Sequence, residues 1–438
     1  MKLLKIWNAS KIPRKWLRRE RLLRTNAQLE AYVKSIIKEV KTKGDSALIR
    51  FAKEFDNVQL TIESLKVCNE EISEAYEKVS EDQISAVKSV KKRLETVEKR
   101  LLERVNFDVK LGEACIKFCT NPIERVGCYV PGGKAAYPST FLMTVVPAMV
   151  AGVSSIAVCS PPSANGLINP LTLVAADICG VDEIYRVGGA QAIAAMAYGT
   201  ETIKPVKKIV GPGNIYVTLA KILVSRHVAI DLPAGPSELL VLADETANPR
   251  FIALDMCAQA EHGPDSIVGL LTLSKKLARE VITELENIAY SAPRSSIVVK
   301  ALLNNGFIIL CKNVDEMVDL ANLFAAEHVE VMMKNPEKAA AKISTAGLVL
   351  VGPYSSASLS DYYIGTNHIL PTSGFGKIFS GLSSLDFTRR TAIVNCPKDE
   401  LSEAIKTIKI LSEAENLPGH FKAVEGRLKF ENSNERLD

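Results

Sequence analysis

The sequence predicts an α/β protein with parallel sheets covered by helices on both faces. Three observations carry that prediction. From about residue 114 short β-rich runs alternate with helical stretches, as in RVGCYVP, SSIAVCS, EIYRVGG, KKIVGPG and LLVLADE. Parallel strands need crossover connections, and helices supply them. Two Gly-rich turns, Val187-Gly188-Gly189-Ala190-Gln191 and Gly211-Pro212-Gly213-Asn214, stand where a strand feeds a helix, the position at which such sheets bind phosphates. Neither has the GxGxxG spacing of the usual dinucleotide fingerprint. With 438 residues the chain has room for two or more domains.

The elements follow in chain order. Residues 1–24 form a basic arm in which Lys2 to Arg24 meet a single acid, Glu20. Such an arm can contact nucleic acid or membrane, or pack on a partner subunit through Trp7, Trp16, Leu17, Leu22 and Leu23; these apolar anchors favour packing. Residues 26–56 have helical period, broken near Lys43-Gly44-Asp45, and residues 69–104 form a charged helical stretch with an apolar stripe. After the alternating region, Asn248–Ala260 reads as a helix with Asn248 as cap, Pro249 in its first turn and Gly263-Pro264 as its stop. Residues 267–273, 307–310 and 329–333 read as strands, 353–385 as loop, and the chain from Lys398 onward as two helices joined at Leu417-Pro418-Gly419.

Composition narrows the function. Hydrophobic residues make up 47% and charged residues 24%, as in a soluble enzyme, and a net charge of +4 is too small to argue for nucleic acid. No apolar run is long enough to span a membrane, and no apolar region follows the first lysines as in a signal peptide. Nine scattered cysteines without a CxxC suit reduced thiols in the cytoplasm, and argue against a cysteine cluster for zinc.

A metal site with histidine ligands must therefore draw on five residues, His227, His262, His328, His368 and His420. Gln259 and His262 are three apart at a helix end and share a face; they are half of a metal shell or an ordinary polar cap. Glu327-His328 joins a helix to a strand, and is a general-base pair or a surface pair. Asp361 and His368 share a loop. Glu415 and His420 bracket a Pro-Gly corner, as ligands or as a helix cap. Ser237, in the rigid Pro233–Glu238 loop, is a candidate substrate contact; no GxSxG is present to suggest a hydrolase. His227, in LVSRHVAI, reads as structural.

Taken together, RVGCYVPGG, VGGAQAIAAMAYGT, GPGN, DLPAGPSELLVLAD, AQAEHGPDS, AAEHVEV, DYYIGTNHILPT, SLDFTRRT and SEAENLPGHFKAVEGRL resemble the histidinol dehydrogenase family, from about Arg125 to Leu428, and the N-terminal GDSAL element is similar too. The resemblance implies one Zn2+ per subunit on Gln259, His262, Asp361 and His420, an acid–base pair at Glu327 and His328, substrate contacts at Ser237, His368 and Glu415 as well as at the metal ligands, and NAD contacts at Tyr129, Gln191 and Asn214. It implies oxidation of L-histidinol to L-histidine with two NAD through a bound aldehyde. It also implies a homodimer with shared sites, and no nucleic-acid or membrane partner.

The implied fold is two incomplete Rossmann-like, aldehyde-dehydrogenase-like parallel-sheet domains with small helical N- and C-terminal extensions. After the arm at 1–24, the first domain takes 25–128 and 238–382 and carries most metal and catalytic residues. The second, on the NAD side, takes 129–237. The helical segment 383–438 is swapped in the dimer. Three positions depart from the family pattern: Cys128 where an aliphatic residue is expected, and Ala326 and Thr366 where proline is. One alternative is a paralogue acting on another small alcohol, which should lack Glu415 or His368. Another is a silent binding protein using the basic arm.

Overall fold

The computed structural model describes residues 3–12, 27–132, 137–233 and 235–434. It divides into two compact units, one made of Met1–Lys99 and Ile123–Phe387, the other of Arg100–Pro122 and Thr388–Asp438.

The larger unit holds two parallel sheets. The strands are β1 (Lys5–Asn8), then β4 (Arg125–Tyr129), β5 (Ser155–Cys159), β6 (Glu183–Tyr185), β7 (Lys208–Val210), β8 (Ala229–Ile230), β9 (Glu238–Ala243), β10 (Ile267–Thr272), β11 (Gly306–Leu310), β12 (His328–Met332) and β13 (Leu348–Val351), while β2 (Phe107–Leu111), β3 (Ala114–Pro122) and β14 (Thr388–Asn395) belong to the smaller unit. One parallel sheet has the order β6-β5-β4-β7-β8 and the other β1-β11-β10-β9-β12-β13.

Seven helices position the site or its sheets: α1 (Ala27–Lys43), α2 (Pro138–Ala151), α3 (Gly189–Tyr198), α4 (Ile215–Val224), α5 (Pro249–Ala260), α6 (Val314–Phe324) and α7 (Ala357–Tyr362). The five-stranded sheet is sandwiched. Val33 and Ile36 of α1, Ile193 of α3 and Val217 of α4 bury one face, and Phe141 and Val145 of α2, with Ile84 and Leu94, bury the other. The six-stranded sheet is covered likewise: Ile252 and Met256 of α5 pack with Leu239 and Val241, while Met317 and Phe324 of α6 pack with Leu240, Leu242, Val329 and Val331. Odd and even strand residues thus face opposite helical layers, as period-two side chains must.

Four expectations change. The start of the basic arm is sheet: Lys5–Asn8 pairs in parallel with Phe307–Leu310, and Leu3 and Leu4 are buried in the core beside it. At this sheet edge Lys5 and Ile6 are exposed and Trp7 packs against the core; residues 13–24 lie outside the described residues. The stretch 27–65 packs on the five-stranded sheet, not with residues 238–382, because its apolar stripe meets α3 and α4. The domain boundary at residue 129 falls on the last residue of β4, which is part of the five-stranded sheet. The segment 383–438 is not all helix. Thr388–Asn395 pairs antiparallel with β3, which also pairs with β2, and two helices follow, α8 (Lys398–Ala414) and α9 (Pro418–Asn434). Thr388, Thr391, Ile393 and Val394 have the β-branched character that suits a strand.

All nine cysteines are free thiols. No helix among the described residues is long and apolar enough to cross a membrane.

Candidate active site

A cleft of about 400 Å³ lies in the larger unit. It is built from opposite ends of the two sheets. The five-stranded sheet contributes Pro131 after β4 and Pro212, Gly213 and Asn214 after β7, its carboxyl edge. The six-stranded sheet contributes Ser237 before β9, and Glu327 and His328 at the start of β12, its amino edge. Gln259, His262, Asp361 and His368 complete the wall, with Thr140, Tyr362 and Thr372.

Local sequence places each group. In α5 the Asn248 side chain accepts the Arg250 N–H at 2.9 Å and Pro249 occupies the first turn. The helix stops at Ala260, and the His262 N–H reaches back to the Gln259 carbonyl at 3.4 Å. Gln259 and His262 therefore both reach the cleft, though His262 lies just past the helix. Among the described residues neither side chain has a recorded protein hydrogen bond. Burial pushes the His262 imidazole below its ordinary pKa, leaving a neutral nitrogen suited to a metal.

Helix α6 ends at Phe324, and Ala325 takes the left-handed conformation (φ 50°) that turns the chain into β12. Ala326, standing where proline is expected, is fully buried. Glu327 Oε2 accepts the Glu238 N–H at 2.8 Å. Burial pushes the Glu327 carboxyl up to about 8, against the opposing pull of His328 and that hydrogen bond. His328 is 2% exposed, and neither ring nitrogen has a hydrogen-bond partner among the described residues. Its Nδ1 lies 3.9 Å from Glu327 Oε2 and its Nε2 3.6 Å from Asp361 Oδ1, ion-pair distances too long for hydrogen bonds. Burial would lower this imidazole's pKa, but the Asp361 and Glu327 carboxylates outweigh it and the net shift is upward.

Asp361 lies in the last turn of the short helix α7, whose N-cap Ser356 accepts the Leu359 N–H at 3.3 Å. Burial raises its pKa, and the facing His328, His368 and His262 reverse that, holding it below the ordinary carboxylate value. His368 is held at both nitrogens, Nδ1 at 3.2 Å from the Asp361 carbonyl and Nε2 at 3.3 Å from Thr140 Oγ1. Burial lowers its pKa. Thr366 Oγ1, nearby in the chain, is buried without a hydrogen-bond partner among the described residues.

The residues expected on the NAD side separate. Asn214 lines the cleft, while its side-chain oxygen caps α4 by accepting the N–H groups of Tyr216 (3.0 Å) and Val217 (3.2 Å). Tyr129 and Gln191 do not line the cleft. Both are buried around the Gly189 turn. The Tyr129 hydroxyl accepts the Gly189 N–H at 3.1 Å, and a Cβ at Gly189 (φ +64°) would meet Gln191 Oε1 at 2.5 Å. Glu415 and His420 lie in the smaller unit, at the end of α8 and near the start of α9, both exposed. His227 stacks on Tyr198 with ring centroids 4.8 Å apart.

Four supports escaped sequence reasoning. Thr140 orients His368. Thr372 Oγ1 accepts the Gly235 N–H at 2.6 Å, fixing the loop before Ser237. Lys221 and Asp231 form a fully buried ion pair: Lys221 Nζ also donates to the carbonyls of Gly211 (2.9 Å) and Leu232 (3.2 Å), and Asp231 accepts the Gly211 N–H at 2.7 Å. The one available signal was a lone lysine inside the apolar run IYVTLAKILV.

Among the described residues no three His, Cys, Asp or Glu side chains gather as a metal cluster. The cleft does offer a carbonyl oxygen, an imidazole and a carboxylate from Gln259, His262 and Asp361, a donor set of the kind zinc takes, short of a fourth.

A histidinol dehydrogenase family model matches residues 19–428. The chain is 46% identical to the histidinol dehydrogenase of Methanocaldococcus jannaschii, with 91% of this chain and 92% of that protein covered. It is 45% identical to that of Listeria monocytogenes serovar 1/2a, with 92% and 94% covered. Its fold is similar to the crystal structure of histidinol dehydrogenase from Elizabethkingia anophelis, with a TM-score of 0.92, 37% identity and 99% of each chain covered. Matches of this extent span both sheets and every wall of the cleft, and the chain belongs to the histidinol dehydrogenase family.

Proposed function

We propose that this chain oxidises L-histidinol to L-histidine in two steps, passing a hydride to NAD in each, with the intermediate aldehyde kept bound. The observation that carries the reading is the convergence of Gln259, His262 and Asp361 on the buried Glu327–His328 pair in one cleft. In the first step the alcohol carbon loses hydride to one NAD and its hydroxyl loses a proton. His328 is the group to take that proton, since neither of its nitrogens has a hydrogen-bond partner among the described residues. The aldehyde then adds water, and the hydrate gives a second hydride to a second NAD. Glu327, 3.9 Å from His328 and anchored by the Glu238 N–H, is the base for that water. Its elevated pKa suits a group that both accepts and returns protons near neutral pH.

Gln259, His262 and Asp361 would hold one zinc ion, with His420 as the fourth donor. The bound ion supplies a template that fixes the substrate's nitrogen end. Ser237, His368 and Glu415 contact the substrate in this reading. His368 is already oriented by Thr140 and the Asp361 carbonyl. NAD lies along the carboxyl edge of the five-stranded sheet, against Asn214 and the Gly189 turn that Tyr129 and Gln191 hold. The enzyme is a homodimer in which the C-terminal segment brings His420 and Glu415 to the neighbouring cleft.

The test is the stoichiometry of the purified, zinc-loaded protein. Two NADH per L-histidinol, with histidine as product, is the expected result. One NADH with released aldehyde would overturn the two-step reading. No NADH at all would favour a related dehydrogenase of another small alcohol.

A further inference from the structure

A second polar layer lies directly beneath the cleft. His328 and Glu330 are two apart on β12, so they share a face. That face is the one turned toward α5: their partners on β9 are Leu239 and Val241, which pack with Ile252 and Met256 of α5, whereas Val329 and Val331 pack on the α6 side. Glu330 is 0% exposed. Its Oε1 accepts the N–H of Ala357, the first residue of α7, at 2.8 Å. Its Oε2 is buried with no ordinary hydrogen-bond partner among the described residues, and the group it faces is the carboxyl of Asp255 on α5.

Each contact lies one structural period from a residue of the cleft. Glu330 is two residues along the strand from His328. Ala357 is four residues before Asp361 in α7. Asp255 is four before Gln259, on the same face of α5, whose end leads directly to His262. The lower layer therefore joins the same three elements that the upper layer brings together. Two facing carboxyls in a buried site cannot both ionise. Burial and the neighbouring Asp255 push the Glu330 carboxyl up to about 8, so at neutral pH Glu330 keeps a proton and can donate it to the Asp255 carboxylate.

We propose that Glu330 and Asp255 form an acid–carboxylate bridge that fixes α5 and α7 on β12, so that Gln259, His262 and Asp361 converge beside His328 in the arrangement zinc requires. Both are positioning residues, and the proposal rests on the reading of Gln259, His262 and Asp361 as zinc donors. It implies that the bridge, and not negative charge at Glu330, is what the site needs. A neutral amide of the same shape can accept from Ala357 and donate to Asp255 at once.

The experiment is zinc affinity of the full chain, by competition with a chromogenic chelator, alongside thermal unfolding of the metal-free protein. Glu330→Gln is expected to bind zinc within about twofold of wild type, and Glu330→Leu about 10-fold more weakly, at the low end of the about 10- to 100-fold that follows removal of a direct partner of a metal ligand, because Glu330 acts one contact further out. Leu240→Ala, a core change on the opposite face of the sheet, is expected to lower the unfolding temperature with zinc affinity unchanged. The bridge is overturned if folded Glu330→Leu binds zinc like wild type, if Glu330→Gln is as weak as Glu330→Leu, or if Leu240→Ala weakens zinc equally. Should Glu330→Leu not fold, Asp255→Leu, at a half-buried position, carries the same expectation and the same refutation. His262→Ala separates the two readings: wild-type affinity there would remove the ligand assignment itself, whereas weakened zinc there with normal zinc in Glu330→Leu would remove only the bridge.

Discussion

The two sheets meet the cleft with opposite ends, and their polar residues do different work. At the carboxyl edge of the five-stranded sheet four polar side chains, Asn214, Tyr129, Lys221 and Asp231, already have protein partners. Asn214 caps α4, Tyr129 holds the Gly189 turn, and Lys221 with Asp231 ties Gly211 to Leu232. At the amino edge of the six-stranded sheet the Gln259 and His262 side chains reach the cleft without hydrogen-bond partners among the described residues, and His328 stands between two carboxylates at more than hydrogen-bond distance. One edge is a preformed surface whose shape is the product; the other keeps its groups in reserve for a ligand. Buried polar groups without partners are unfavourable for the folded state, so their concentration on one edge marks where chemistry is expected.

Substitutions on the two edges should therefore separate activity from stability. The largest expected effect is Glu327→Gln, which should slow aldehyde oxidation by on the order of 10²- to 10⁴-fold while zinc content stays at the wild-type level; steady-state rates with histidinal against metal analysis check it. The same variant has a pH signature. The Glu327 pKa is raised in the folded state, so the wild-type protein binds a proton there that the unfolded chain has released. Wild-type stability relative to Glu327→Gln should be fully present below about pH 4.5, fall as pH rises toward 8, and level off above. Denaturant midpoints of the two metal-free proteins across that range measure it, and parallel curves would count against the buried position of the carboxyl.

On the other edge, Asp231→Ala leaves Lys221 charged and unpaired in the core and should destabilise by about 3–5 kcal/mol, with Lys221→Met in the same chain restoring much of the loss. Urea unfolding of the single and double variants reads this directly. Asn214→Ala should remove about 1 kcal/mol with the lost helix cap; a raised KM for NAD in addition would show that this residue serves both structure and cofactor, and an unchanged KM would leave it as a cap alone. The smallest effect is at Ala325, whose left-handed backbone is unfavourable for a side chain with a Cβ. Ala325→Gly should stabilise by about 0.5–1 kcal/mol, seen as a modest rise in unfolding temperature.

Sequence alone reached the parts of this architecture that local rules govern. The strands and helices from 125 to 351 follow from alternation, caps and glycine turns, and Asn248, Pro249 and the stop before Gly263 place Gln259 and His262 at one helix end. What it did not reach depends on pairing between distant segments. Nothing local says that Thr388–Asn395 will lie beside Cys115–Pro122, or that α1 will choose the five-stranded sheet. The same limit applies to the site. Gly-rich turns flag a cofactor edge, but only the folded structure reveals that the Tyr129 hydroxyl is engaged by the turn itself. Glu330 sits in a strand that alternates Val329, Glu330, Val331, a pattern indistinguishable in sequence from a solvent-facing charge.

The edge strand β1 bears on how the chain is made. Lys5 pairs with Phe307, so this strand waits for roughly three hundred further residues before its place in the sheet exists, and such distant pairing is slow to close. The contiguous strands β4–β8 and β9–β13 can assemble as they emerge, whereas the N-terminal strand must be kept from pairing elsewhere until the sheet it completes is nearly finished. A substitution that weakens Lys5–Asn8 as a strand would then be felt first as a delay in maturation of the nascent protein, before any change in the finished enzyme.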